Sequence, residues 1–166
     1  IALFDLDHTL LPLDSDHAWG EFTTAIGWTD AAEFKARNDA YYADYQAGQL
    51  NVADYVRFST EAARLQGREA ALAARERFMA EWIRPAIHPQ ARELLDRHRR
   101  AGDRLAIVTA TNEFITRPIA TALGVDELIA IKLARDAEGW MTGEIAGTPS
   151  FSEGKVTRVA QWLAEQ

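Results

Sequence analysis

Four apolar residues, Ile1-Ala2-Leu3-Phe4, run without a polar break into Asp5, and a second acid follows at Asp7. An uninterrupted run of this kind is the pattern of a strand buried on both faces, as in parallel sheets covered by helices on either side. Side chains two apart along a strand leave it on the same face. The run therefore brings two carboxylates out together at the end of a buried strand, where they repel each other. Such a pair is stable only when one acid holds a proton or a cation sits between them. A hard divalent ion such as Mg²⁺, which prefers oxygen ligands, meets that demand. The C-terminal ends of parallel strands are also where open α/β sheets bind their ligands.

The buried-strand pattern returns only far along the chain, at Leu105-Ala106-Ile107-Val108 and again at Leu128-Ile129-Ala130-Ile131. Between the first two runs the periodicity is helical, with stretches expected at about 16–26, 31–46, 52–66 and 69–83. Ser15 or Asp16 can cap the first of these, and Gly27, Gly48 and Gly67 supply the breaks. Four short helices with one apolar face each predict a small bundle, whose core would hold Tyr41, Tyr42, Tyr45, Tyr55 and Phe58. Pro89 opens a further helix that Gly102 closes. The strand from Leu105 ends on Thr109-Ala110-Thr111-Asn112. The helix after it contains Pro118, which should kink it or push its start later. Asp136-Ala137-Glu138-Gly139 reads as a turn leading into Trp140-Met141-Thr142-Gly143, hence a hairpin. An amphipathic helix over 155–165 completes the pattern. The expected fold is α/β: a Rossmann-like three-layer parallel-sheet core with a small helical-bundle cap inserted after the first strand. The core would comprise 1–14 and 85–166, and the four-helix cap 15–84.

Bulk properties narrow the partners. A net charge of −7 gives no electrostatic support for binding nucleic acid or an anionic membrane. With no cysteine there is neither a disulfide framework nor a thiolate metal site, which fits a cytoplasmic protein. No apolar run approaches the roughly 20 residues of a membrane span, and no signal-like segment is visible.

Taken in order, these features resemble the haloacid dehalogenase superfamily, and within it the phosphoserine-phosphatase-like hydrolases. Asp5-Leu6-Asp7-His8-Thr9 matches the first motif, Thr109 at a strand end the second, and Lys155 in Glu153-Gly154-Lys155 the third. The helical insertion between the first two motifs and the Trp140-Met141-Thr142-Gly143 hairpin also have counterparts in that branch. The resemblance implies that Asp5 attacks phosphorus to form an aspartyl phosphate. Asp7 would protonate the leaving oxygen and then activate water. Mg²⁺ would be held by the Asp5 carboxylate and the Asp7 main-chain carbonyl, with Lys155 neutralising phosphate oxygens. The Thr109 hydroxyl and the Ala110 N–H would hold the phosphate. Asp14 and Arg57 match the cap residues that grip the amino-acid part of phosphoserine. Asp14 is shorter than the family's glutamate, however, and Thr109-Ala110-Thr111 replaces Ser-Gly-Gly, which points away from phosphoserine itself.

The expected activity is Mg²⁺-dependent hydrolysis of a small phosphorylated metabolite. A dehalogenase needs no second aspartate at Asp7. The alternative is a catalytically inactive relative that binds phosphate or another ligand. Read without the resemblance, Thr109 is a strand-end helix cap, Lys155 a solvated lysine, and Arg57 a helix arginine paired with Asp54 or Glu61. His8 should face away from the acid pair, and His17, His88 and His98 show no metal-ligand spacing. The family's fourth motif, an acidic strand end lying beside the first strand, would follow the last helix, so the natural protein is expected to continue past Gln166. The oligomeric state is not legible.

Overall fold

The computed structural model describes residues 1–165. Its centre is a three-stranded parallel sheet in the order β1-β2-β3, formed by Ala2–Phe4, Leu105–Asn112 and Glu127–Ile131. Leu3 lies opposite Ala106, and Ile107 opposite Leu128. The apolar runs form these strands because helices cover them, burying Phe4, Ala106, Ile107, Ile129 and Ala130. β1 is an edge strand among the described residues, and Ile1 and Leu3 are exposed. β2 extends to Asn112, with an irregular register against β3 between Val108 and Asn112.

The helical insertion follows β1. It contains α1 (Ser15–Ala25), α2 (Ala31–Gln46), α3 (Val52–Gln66) and α4 (Arg68–Phe78). Asp14, rather than Ser15 or Asp16, caps α1, its carboxylate accepting from the His17 N–H at 2.9 Å. Asp30 and Asn51 cap α2 and α3 in the same way. The expected helix over 69–83 is not uniform. α4 passes into a π-helical segment, Met79–Ile83, and then a short turn, α5 (Arg84–Ala86). This segment packs Trp82 edge-on against Phe22. Helix α6 (Pro89–Arg100) starts at the proline as the sequence predicts. Helices α7 (Glu113–Ala122) and α8 (Glu153–Ala164) follow β2 and the hairpin of β4 (Leu133–Arg135) with β5 (Met141–Ile145). No helix among the described residues is long and apolar enough to cross a membrane.

An aromatic cluster joins the insertion to the sheet layer. Trp19 packs against Phe78 at 5.3 Å and against Phe114 of α7 at 5.8 Å, and Phe22 stacks beside it. Burying each such ring is worth about 2–3 kcal/mol. A hydrogen bond reinforces the join. Pro118 lies inside α7, which nevertheless starts at Glu113. Having no N–H, Pro118 leaves the Phe114 carbonyl without its helical donor. Arg75 of α4 donates to that carbonyl at 3.0 Å and lays its guanidinium 4.8 Å from the Phe114 ring centre.

Candidate active site

β1 ends at Phe4 and delivers Asp5 at its C-terminal end. The chain then wraps around a single carbonyl: Leu6 O accepts from the N–H groups of Thr9, Leu10 and Leu11 at 3.2, 2.9 and 3.0 Å. Leu6, Leu10 and Leu11 are buried beneath this turn and anchor it. His8 takes a left-handed backbone there, φ +56°, which swings its side chain into the cavity lining rather than away from the acids as expected.

The turn presents Asp7 to three donors. One carboxylate oxygen accepts from the Ser15 N–H at 2.8 Å. The other accepts from the hydroxyl of Thr111 at 2.8 Å and that of Thr109 at 3.5 Å. Burial raises the Asp7 pKa above the ordinary carboxylate value, and the bonds from Ser15 and Thr111 only partly oppose it. Asp5 is more exposed, and Lys155 Nζ lies 3.0 Å from its carboxylate. Lys155 stands in the first turn of α8, where the helix dipole disfavours a cation, so the anion beside it stabilises the arrangement. Gly154 sets this approach. A Cβ at that position would collide with the Pro149 carbonyl oxygen, so only glycine lets the start of α8 sit so close to the preceding loop.

Asp5, Asp7, Thr109, Ala110, Thr111 and Lys155 line one end of a cavity of about 510 Å³ between sheet and insertion. Asp14 lines it too. Arg57 does not: its guanidinium is locked onto Glu144 of β5 by bonds of 2.8 and 2.9 Å, with Asp54 at 2.6 Å. Of the five aromatic residues expected in the bundle core, only Phe58 is buried. Tyr41, Tyr42, Tyr45 and Tyr55 line the cavity instead, because the wholly apolar Phe22 and Phe78 rings and Trp19 already fill the interior.

Two features escaped the sequence reading. Thr111 bonds Asp7 more closely than Thr109 does, and the two-residue spacing that pairs Asp5 with Asp7 would have paired these threonines as well. Asp16 is buried, accepting from the Asn112 side chain at 3.1 Å, with Tyr55 as a further partner. Burial first, then the charges of Asp14 and Asp7, push its pKa well above the ordinary range. Asn112 also caps α7, accepting from Phe114 N–H at 3.1 Å.

The donor set fits a hard divalent cation. Four acids line the cavity against Lys155 as its one Lys or Arg among the described residues. A phosphate dianion entering there needs further positive charge. Among the described residues no three His, Asp or Glu side chains converge as a metal-ligand set. Mg²⁺ is commonly held by only one or two carboxylates, with water and substrate phosphate completing its octahedron, and the Asp5 carboxylate with the Asp7 main-chain carbonyl would meet that demand.

This strand-end acid pair, its facing lysine and the inserted helices belong to a known class. The chain is a member of the haloacid dehalogenase-like hydrolases, whose family model matches residues 2–166. It is 41% identical over 166 residues to a histidinol-phosphatase of Neisseria meningitidis serogroup C (strain 8013), covering all of this chain and 75% of that protein. A solved protein of unknown function from Bordetella pertussis Tohama I superposes with a TM-score of 0.90 at 46% identity, over 99% of this chain and 74% of that one. A substrate-bound phosphoserine phosphatase shares the fold, with a TM-score of 0.62 at 18% identity, over 98% of this chain and 69% of that one.

Proposed function

We propose that the chain is a Mg²⁺-dependent phosphomonoester hydrolase acting on a small phosphorylated metabolite through an aspartyl phosphate. The observation that supports this most is the single cluster in which Asp5 faces Lys155 at 3.0 Å while two threonine hydroxyls face Asp7. Asp5, the more exposed acid, attacks phosphorus, forming an O–P bond as the ester O–P bond breaks. Asp7, whose burial favours the protonated form, gives its proton to the departing alkoxide. The resulting Asp7 carboxylate then takes a proton from the water that attacks the aspartyl phosphate, releasing inorganic phosphate and restoring Asp5. Lys155 and the Thr109 hydroxyl, with the Ala110 N–H, hold the phosphoryl oxygens. Mg²⁺, held by the Asp5 carboxylate and the Asp7 main-chain carbonyl, would supply positive charge to those oxygens.

The name of the Neisseria relative makes histidinol phosphate the first natural ester to assay. Phosphate release from it and from p-nitrophenyl phosphate, with and without Mg²⁺, tests the reading. Metal-dependent turnover that falls by about 10³-fold or more in Asp5→Asn is expected. Turnover retained in that variant would refute the nucleophile, and an inert wild-type protein across natural phosphomonoesters would refute the activity.

A further inference from the structure

On the phosphatase reading, Asp7 must point at the leaving oxygen as an acid and then at water as a base. Its carboxyl therefore has to be held in one direction. It hangs between two segments far apart in sequence. One oxygen accepts from the Ser15 N–H at the start of α1, and the other from the Thr111 hydroxyl near the end of β2, each at 2.8 Å. The direction of the carboxyl is thus set by how α1 and β2 stand to each other.

The residue next to each donor sets that relation. Asp16 follows Ser15, Asn112 follows Thr111, and their side chains meet, Asn112 Nδ2 donating to Asp16 Oδ1 at 3.1 Å. The bond is shielded from water, with Asp16 7% exposed and Asn112 1%. Each member is itself anchored. The Asn112 side-chain oxygen caps α7, accepting from the N–H groups of Phe114 and Ile115 at 3.1 and 3.4 Å. Asp16 sits in the first turn of α1 and has Tyr55 of α3 as a second partner. Ser59 of α3 also lies within reach, its Oγ 3.5 Å from Asn112 Nδ2. Apolar side chains would fill this space at less cost than a buried acid and amide, so the polar pair calls for a reason beyond packing.

We infer, resting on the phosphatase reading, that Asp16 and Asn112 form a positioning clamp for Asp7. By tying the start of α1 to the end of β2, the pair holds the Ser15 N–H and the Thr111 hydroxyl at the spacing that aims the Asp7 carboxyl at the leaving oxygen. Both are positioning residues, acting on the reaction through the two donors of Asp7. Releasing the clamp lets those donors drift apart and misdirects the proton without removing the acid.

A misdirected acid shows itself in sensitivity to the leaving group. p-Nitrophenolate departs without a proton, whereas phenolate is far more basic and leaves faster when protonated. The ratio of kcat/KM for p-nitrophenyl phosphate to that for phenyl phosphate therefore reports the acid, and the folded fraction of a variant cancels from it. With Mg²⁺ present, Asp7→Asn should raise this ratio by about thirtyfold, and Asp16→Ala and Asn112→Ser by about tenfold. Serine caps a helix as well as asparagine does, so Asn112→Ser keeps the start of α7 while its shorter side chain gives up Asp16. Asp16→Asn keeps the acceptor oxygen and reproduces the neutral carboxyl that burial favours, so it should hold the wild-type ratio within about twofold. A ratio raised by Asp7→Asn but unmoved by Asp16→Ala and Asn112→Ser would overturn the clamp and leave the phosphatase reading standing. A ratio unmoved by Asp7→Asn would refute the acid, and the clamp with it. Amide exchange of Ser15, slowed by its bond to Asp7, tests the clamp without turnover. Measured relative to Trp19 in the same helix, it should quicken about tenfold in Asp16→Ala and Asn112→Ser. An unaltered relative rate would overturn the clamp whether or not either ester is hydrolysed.

Discussion

The two ends of the cavity are built to opposite specifications. At the sheet end, Thr109, Thr111 and Asn112 are buried, and Asp7 is held by a backbone N–H and two hydroxyls. At the other end lies α2, sixteen residues long, none of them buried. Tyr42 and Tyr45 on it are 59% and 57% exposed. Its neighbour α3 buries Val56, Phe58, Thr60 and Ala63 along one face. Groups that must meet a reacting phosphorus have to be fixed to within about half an ångström, and burial among strand ends does that. A wall that recognises the remainder of a substrate tolerates looser support. Residues on such a surface can change at little cost to stability, so the fold can keep one chemistry while its substrate varies.

That contrast can be broken or sharpened by substitution. After the loss of Asp5 itself, the largest effect is expected at the sheet end, from Gly154→Ala. The added methyl meets the Pro149 carbonyl and displaces the start of α8, carrying Lys155 away from Asp5. Since a misplacement of about 1 Å can cost on the order of 100-fold in rate, kcat/KM should fall by about that factor in steady-state assays. Next is the join between the two ends. Arg75→Met leaves the Phe114 carbonyl bare beside Pro118 and should destabilise the protein by about 1 kcal/mol in denaturant titrations. A smaller, pH-dependent effect is expected from Asp16. Its raised pKa means that the folded chain binds the Asp16 proton more tightly than the unfolded chain does. Stability is then lost as pH rises from the ordinary carboxylate value of 3.8 toward the raised native one. Asp16→Asn removes that dependence, so the melting temperature of the variant relative to wild type should climb between pH 4 and pH 7, as followed by circular dichroism. A flat difference would mean that Asp16 stays ionised. The least effect is expected from Arg57→Gln, which should leave kcat/KM for every ester within about twofold, since Arg57 does not line the cavity.

Much of this was legible in the sequence, for identifiable reasons. Leu105 to Val108 reads as a parallel strand because burial on both faces leaves an unbroken apolar run; Ile1 to Phe4 reads the same way and does pair in parallel, although Ile1 and Leu3 are exposed in the described residues. The insertion was legible from its helical spacing and its glycine breaks, whereas the cap of α1 is Asp14 and not Ser15 or Asp16. The neighbourhood of Asp5, Asp7, Thr109 and Lys155 followed from family motifs in order, and Thr111 was within reach of the same strand arithmetic. The environment of Asp16 was not. Its partner Asn112 lies 96 residues away, and no local pattern marks an aspartate that will be buried. The tyrosines misled for a related reason. Aromatic spacing on α2 and α3 marks a face, and only the packing of Trp19, Phe22 and Phe78 decides whether that face turns inward or lines a cleft. Arg57 likewise depends on where β5 brings Glu144, which the helix's own sequence does not encode.

The bond from Arg75 to the carbonyl orphaned by Pro118 has a mechanical side. It ties α4 to α7, next to the packed rings of Trp19, Phe78 and Phe114, so that this half of the insertion behaves as an abutment of the sheet layer. Swinging it outward would strip a half-buried guanidinium from its acceptor and expose large aromatic surface in one stroke. Helix α2 is held more loosely: none of its residues is fully buried, and it is tied to α3 through Arg37 to Glu61 and through Phe34 and Tyr41 against Phe58. The insertion is thus less a hinged lid than a fixed jamb with one looser panel, and that panel carries three of the four cavity tyrosines.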